Sequence, residues 1–207
     1  MQPGRVRGRT LSAILGICAV AGCSRFPAPP ERPDLSPSNA ALKAVAQYDA
    51  NNDGKLSGDE LKKCPALAVA FKRIDSDGDG ALGADEIAAR IKSWADSGTI
   101  MTGGTVVVTL DAKPLEGATV TFEPEPFLGP AFKTCSATTD SGGYAFITGQ
   151  DEAFAGIYLG FYRVKISKQL GGKETLPARY NTQSELGYEV ATDLGGIGTI
   201  NFDLRSR

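Results

Sequence analysis

Two stretches of twelve residues carry oxygen-bearing side chains at matching positions, and nothing else in the chain restricts its fold so tightly. The first reads Asp49-Ala50-Asn51-Asn52-Asp53-Gly54-Lys55-Leu56-Ser57-Gly58-Asp59-Glu60. The second reads Asp75-Ser76-Asp77-Gly78-Asp79-Gly80-Ala81-Leu82-Gly83-Ala84-Asp85-Glu86. Carboxylates or amides fall at positions 1, 3, 5 and 12 of each, with glycine at position 6. Carboxylates crowded into so short a run repel one another unless a cation lies between them. The chain contains no histidine, so such a cation is held by oxygen, and oxygen selects hard divalent ions.

This pattern resembles the EF-hand loop, whose ligands come from positions 1, 3, 5, 7 (backbone), 9 and 12 around a glycine at 6. The resemblance implies two Ca²⁺ ions. Asp49, Asn51, Asp53, the Lys55 carbonyl, Ser57 and a bidentate Glu60 would hold the first. Asp75, Asp77, Asp79, the Ala81 carbonyl and Glu86 would hold the second, with water at position 9 because Gly83 has no side chain. Leu56 and Leu82 stand at position 8, which in paired EF-hands joins a short two-stranded link. The flanks carry helical periodicity: Leu42, Val45, Ala46 and Tyr48 before the first loop, Leu67, Ala70, Phe71 and Ile74 before the second, Ile87, Ile91 and Trp94 after it. Pro65 suits a first helical position. The loops begin at 49 and 75, which implies short inner helices and a compact all-α module over 37–97, with Phe71 and Trp94 in its core.

After a Gly/Thr-rich linker (98–104) the apolar period changes to two. Strands are expected near 105–110, 118–123, 133–139, 143–148, 160–168, 187–192 and 197–204, with turns at Asp111-Ala112-Lys113-Pro114 and Asp140-Ser141-Gly142-Gly143. Seven short antiparallel strands suggest an all-β sandwich over 105–207. This stretch resembles the transthyretin-like fold of carboxypeptidase regulatory-like domains. The likeness rests on Gly104–Leu110, Lys113–Phe122, Thr139–Phe146, Tyr162–Ile166, Leu176–Asn181 and Asn201–Leu204, and it implies a seven-stranded Greek-key sandwich. The first turn reads Asp111-Ala112 where such domains carry Asp-Gly, so a less tight hairpin is expected there. In carboxypeptidases the module accompanies a separate zinc-dependent catalytic domain. This chain has no such domain and no zinc-ligand set, so the resemblance implies binding or spacing and transfers no site residues.

The N-terminus reads as an address. Arg5, Arg7 and Arg9 precede an apolar run over 10–22, as in a secretory signal. Val20-Ala21-Gly22-Cys23 resembles the bacterial lipobox, which implies cleavage after residue 22 and lipid on Cys23. Proline-rich residues 23–36 then suit an extended tether. The expected product is a lipoprotein anchored in the bacterial cell envelope, facing the periplasm or the exterior, with the membrane as its first partner. Cys64 and Cys135 remain, one in each domain, and two outcomes stay open: a disulfide between them, or two separate buried thiols.

A net charge of −2 gives no reason to expect nucleic acid as a partner. The missing histidine removes Ser-His-Asp and Cys-His chemistry. Glu123, Glu125, Asp151 and Glu152 read as solvated turn residues and not as an acid/base pair, and Glu123-Pro124-Glu125-Pro126-Phe127-Leu128-Gly129-Pro130 as a rigid exposed loop open to a partner. The expected protein is not an enzyme: a lipid-anchored, calcium-binding EF-hand pair followed by a sandwich for recognition or spacing. Two alternatives stand beside it. One is a dockerin-like, calcium-dependent adhesion module that pairs with an envelope protein receptor. The other is a glycan-binding sandwich.

Overall fold

A computed structural model describes residues 31–147, 156–194 and 198–207. The signal segment (1–22), Cys23 and the tether up to residue 30 lie outside the described residues, as do Asp151 and Glu152.

Four helices come first: α1 (Pro37–Tyr48), α2 (Gly58–Lys63), α3 (Pro65–Ile74) and α4 (Ala84–Asp96). Prolines start two of them. Pro37 follows Ser36, whose Oγ accepts from the Asn39 amide at 3.4 Å, and Pro65 follows Cys64. A missing N–H costs nothing at that position and the fixed φ already suits the helix. Strands β1 (Lys55–Leu56) and β2 (Leu82–Gly83) sit inside the two loops and pair antiparallel, Leu56 opposite Leu82. The expected two-stranded link is present, and both leucines are fully buried.

Twelve further strands follow: β3 (Met101–Thr102), β4 (Gly104–Leu110), β5 (Lys113–Pro114), β6 (Thr119–Pro124), β7 (Cys135–Thr138), β8 (Tyr144–Ile147), β9 (Ile157–Tyr158), β10 (Gly160–Ser167), β11 (Gln169–Leu170), β12 (Lys173–Glu174), β13 (Leu186–Val190) and β14 (Thr199–Leu204). One four-stranded sheet runs β13-β10-β6-β7. A second joins β14, β4 and β5, with β8 also on β4. Their inner faces meet around Phe122, which packs edge-on against Tyr162, Tyr188 and Phe202. The seven strands expected from alternation all form, each within a few residues of its expected span.

Three features differ from the sequence expectations. First, the β region is not wholly antiparallel: β14 pairs with β4 in parallel, from Thr199 opposite Thr105 to Leu204 opposite Leu110. Second, the Asp111-Ala112 turn is tight. Leu110 pairs with Lys113, and both turn residues adopt positive φ (49° and 64°), the backbone of a primed two-residue hairpin without its usual glycine. Third, the linker residues Met101 and Thr102 pair with Tyr158 and Ile157.

The helices pack on the outer face of the β13-β10-β6-β7 sheet, giving three layers: helices, sheet, sheet. Alternation along β10 serves both sides. Tyr162, Val164 and Ile166 face the inner sheet, while Phe161 meets Trp94 of α4 edge-on, ring centroids 4.7 Å apart. A side chain at Gly187 on β13 would place its Cβ 2.1 Å from the Pro65 carbonyl carbon, so glycine lets the start of α3 lie on the strand backbone. Helical and β residues therefore belong to one continuous buried cluster. The segment before α1 is also held to this body: Arg32 donates to the carbonyls of Trp94 and Thr99, both at 3.3 Å.

Candidate metal centre

The two acidic loops fold as near copies. Each position-1 aspartate accepts from the backbone twice. Asp49 takes Asn52 N–H at 2.6 Å and Gly54 N–H at 2.9 Å; Asp75 takes Gly78 N–H at 2.8 Å and Gly80 N–H at 3.3 Å. Position 3 accepts from position 5: Asp53 N–H reaches Asn51 Oδ1 at 2.9 Å, and Asp79 N–H reaches Asp77 Oδ1 at 3.1 Å. Position 5 accepts from position 7, with Lys55 and Ala81 N–H each 2.9 Å from Asp53 and Asp79. Position 12 reaches back across the loop. Glu60 accepts from Ala50 at 2.9 Å and Ser57 at 3.0 Å, Glu86 from Ser76 at 2.8 Å and Gly83 at 2.9 Å. Gly54 and Gly80 make the sharp turn at φ 84° and 85°, a conformation L side chains rarely adopt.

These bonds hold the side-chain oxygens against the backbone of each loop, with Lys55 and Ala81 at position 7. In the second loop one oxygen each from Asp75, Asp77 and Glu86 lies within 4.8 Å of the other two. Two oxygens on a single calcium ion, each at 2.3–2.6 Å, lie at most about 5 Å apart. The set therefore fits an oxygen-ligated divalent ion. Among the described residues this is the one such convergence of three carboxylates. In the first loop the amide of Asn51 turns inward on Asp53, donating to its Oδ2 at 2.8 Å, and this bond holds the Asp53 carboxyl below the usual carboxylate range.

Lys55 ties the loops together. Its ammonium forms an ion pair with Asp79, the position-5 ligand of the other loop. That contact lowers the Asp79 carboxyl and raises the Lys55 ammonium.

The remaining candidates lie elsewhere. Cys64 and Cys135 are two free, buried thiols, so the disulfide alternative is not the one realised. Cys64 caps α2 and α3 beside Glu125, and burial first, then the Glu125 charge, push its thiol far up. Cys135 lies at the other side of the sheet, on β7 opposite Phe122, and burial raises its thiol too. The reading of Glu125 as a solvated turn residue is overturned. It is 2 % exposed beneath α1, and its Oε2 accepts from Tyr48 Oη at 2.6 Å. The loop around it is only partly exposed: Pro126 and Pro130 face out, but Phe127 and Leu128 are buried between α1 and β10, Phe127 against Phe161. Glu123 pairs with Lys165 at 2.6 Å on the sheet surface.

A protein-family model described as EF hand matches residues 44–65 and 67–91. The two matched segments contain both loops with the ends of their flanking helices, so sequence profile and geometry select the same residues. The helical region thus carries EF hands, and the family supports calcium as the ion. No curated protein and no solved structure matches the chain.

The residues that sequence reasoning missed are those that join the EF hands to the sheet: Glu125 and Glu189. Glu189 is buried, accepting from Arg73, Arg90 and Trp94. A usable signal for it was present, since an acid at the core end of a strand must meet cations when buried.

Proposed function

We propose that this is a lipid-anchored protein of the bacterial cell envelope that binds two calcium ions through its EF-hand pair. Its β region serves recognition or spacing, without catalysis. The observation that carries the calcium reading is the repeat of one hydrogen-bonded loop geometry at 49–60 and 75–86, joined through Leu56 and Leu82. The ligand sets are Asp49, Asn51, Asp53, Lys55 O, Ser57 and Glu60 in one loop, and Asp75, Asp77, Asp79, Ala81 O, Glu86 and a water in the other. Calcium here is structural more than signalling, with affinity near the ~10⁻⁴–10⁻³ M of extracellular modules. The anchor rests on the basic start, the apolar run and Cys23, and the β region's role on its likeness to transthyretin-like domains.

Calorimetric titration of the full-length chain with CaCl₂ tests the metal reading. Two sites are expected, with Glu60→Gln and Glu86→Gln each removing one. No uptake at millimolar calcium would overturn it. For the anchor, Cys23→Ser should move the protein from the membrane fraction to the soluble one, and an unchanged distribution counts against lipidation.

One observation favours a glycan as what the β region recognises. Tyr144 and Phe146 project from the outer face of β8, 47 % and 66 % exposed, beside Val107 and Thr105 of β4. Two adjacent aromatic faces with hydroxyl and amide neighbours (Thr199 and Asn201 on β14) suit the apolar faces and hydroxyls of a sugar chain. A glycan array with wild type and a Tyr144→Ala/Phe146→Ala variant checks this, and equal binding by both removes it.

A further inference from the structure

The second EF hand is gripped from outside by a residue of the β region. Glu189 on β13 is 1 % exposed and faces the helices. Its Oε2 accepts from Arg73 Nε at 2.9 Å; its Oε1 accepts from Arg90 Nε and from the Trp94 indole N–H at 3.1 Å. Arg73 stands at the end of α3, two residues before Asp75, where the second loop begins. Arg90 stands in α4, one turn beyond Glu86, where the loop's ligands end. One buried carboxylate therefore ties the helix entering the loop to the helix leaving it.

The charges close on themselves. Arg90 also forks onto Asp193 at 2.6 and 2.9 Å, so two guanidiniums face two carboxylates across the layer boundary. A buried charge left unpaired would be costly, and this arrangement leaves none. Gly187, two residues earlier on the same strand, brings the backbone of α3 down onto the clamp.

The first EF hand is held differently. Tyr48 at the end of α1 donates to Glu125, and Arg163 reaches the carbonyl of Lys63 at the end of α2. Glu125 also lies beside Cys64, the C-cap of α2, but its one guanidinium, that of Arg163, stands 3.9 Å away, where Glu189 holds two guanidiniums and an indole N–H. In the second loop one oxygen each from Asp75, Asp77 and Glu86 already lies within 4.8 Å of the other two, while Asp79 is turned to Lys55.

We propose that Glu189 is a positioning residue for calcium, setting the angle between α3 and α4 so that the second loop's ligands converge before the ion arrives. The β region is then the resident partner of the EF hands and covers the face that a separate target helix would take in an opening sensor. The proposal rests on the calcium reading given above. Pre-organisation of this kind raises affinity by removing ordering cost. Linkage makes it reciprocal, so calcium in the second loop strengthens docking of the helices on β13.

The test reads each site alone in the full-length chain, with CaCl₂ as the titrant. In a Glu60→Gln background only the second loop binds, and adding Glu189→Gln should weaken it about tenfold, inside the roughly 5–150-fold range of coupling between sites. In a Glu86→Gln background only the first loop binds, and the same change should leave its affinity within about twofold, as expected for a site that does not share the clamp. A purely structural role for Glu189 would lower stability without this selectivity. Arg73→Gln, which removes a half-exposed partner and leaves the buried carboxylate with Arg90 and Trp94, should weaken the second site in the same direction. It keeps the test open should Glu189→Gln not fold. Unchanged second-site affinity, or equal loss at both sites, overturns the proposal. If the wild type takes up no calcium, the calcium reading itself has failed.

Discussion

Glu125 shows how far one residue's surroundings change its chemistry. Its carboxyl lies under α1 with Tyr48 Oη on one oxygen, while the Arg163 guanidinium stands 3.9 Å from the other. Burial is the largest influence and lifts the carboxyl above the ordinary glutamate value, against the lowering effects of Tyr48 and Arg163. A raised value in the folded state means that the fold binds this proton more tightly than the unfolded chain does. The stability so gained is full below the unfolded value and is lost as pH rises through the folded one. Glu125→Gln, neutral at every pH, should therefore melt close to wild type near pH 4 and gain on it by pH 7. Thermal denaturation at the two values measures the gap. A gap that does not widen with pH would mean that the fold does not raise the Glu125 carboxyl.

At the scale of elements, close approach decides the packing of helices on sheet. A Cβ at Gly187 meets backbone atoms of Pro65 and Ala66 at 2.1–2.3 Å, and backbone cannot swing aside as a long side chain can. Gly187→Ala should lift α3 from β13 and cost about 3 kcal/mol, the upper range for forced overpacking. A melting temperature equal to wild type would show that the strand shifts freely. Other features at this scale are legible in the sequence. Alternation such as Tyr162, Val164 and Ile166 marks a pleated strand with one buried face, and the loop ligands follow a spacing that only the turn geometry demands. What stays illegible depends on partners distant in sequence. Alternation tells which face of β14 is buried but not that β14 lies parallel to β4. Proline-rich sequence around Glu125 reads as exposed until α1 is laid over Phe127 and Leu128. The turn at Asp111-Ala112 reads as loose because its residues disfavour positive φ, yet the paired strands on either side impose it.

At the scale of the whole molecule, the helical and β regions share one buried cluster and a boundary held by Glu125 and Glu189. Two separate modules, 37–97 and 105–207, would let calcium removal unfold the first and leave the second intact. The shared core argues instead for a single cooperative transition. Two sites loaded tenfold above their Kd contribute about 3 kcal/mol. Chelation should therefore lower the melting temperature by roughly 6–12 °C for a chain of this size. Helical and sheet signals in circular dichroism should fall together. Loss of helix at a temperature where the sheet signal persists would restore the picture of separable units.

The parallel alignment of β4 and β14 has a mechanical consequence. The β region begins at one end of this strand pair and finishes at the other, six residue pairs along. Traction applied at its two termini runs along the strands and strains the whole ladder in shear, where an antiparallel pair pulled from adjacent ends would unzip bond by bond. Force carried through the chain is thus borne by the full ladder at once, with Thr109 Oγ1 adding a side-chain bond to Asp203 at 2.7 Å.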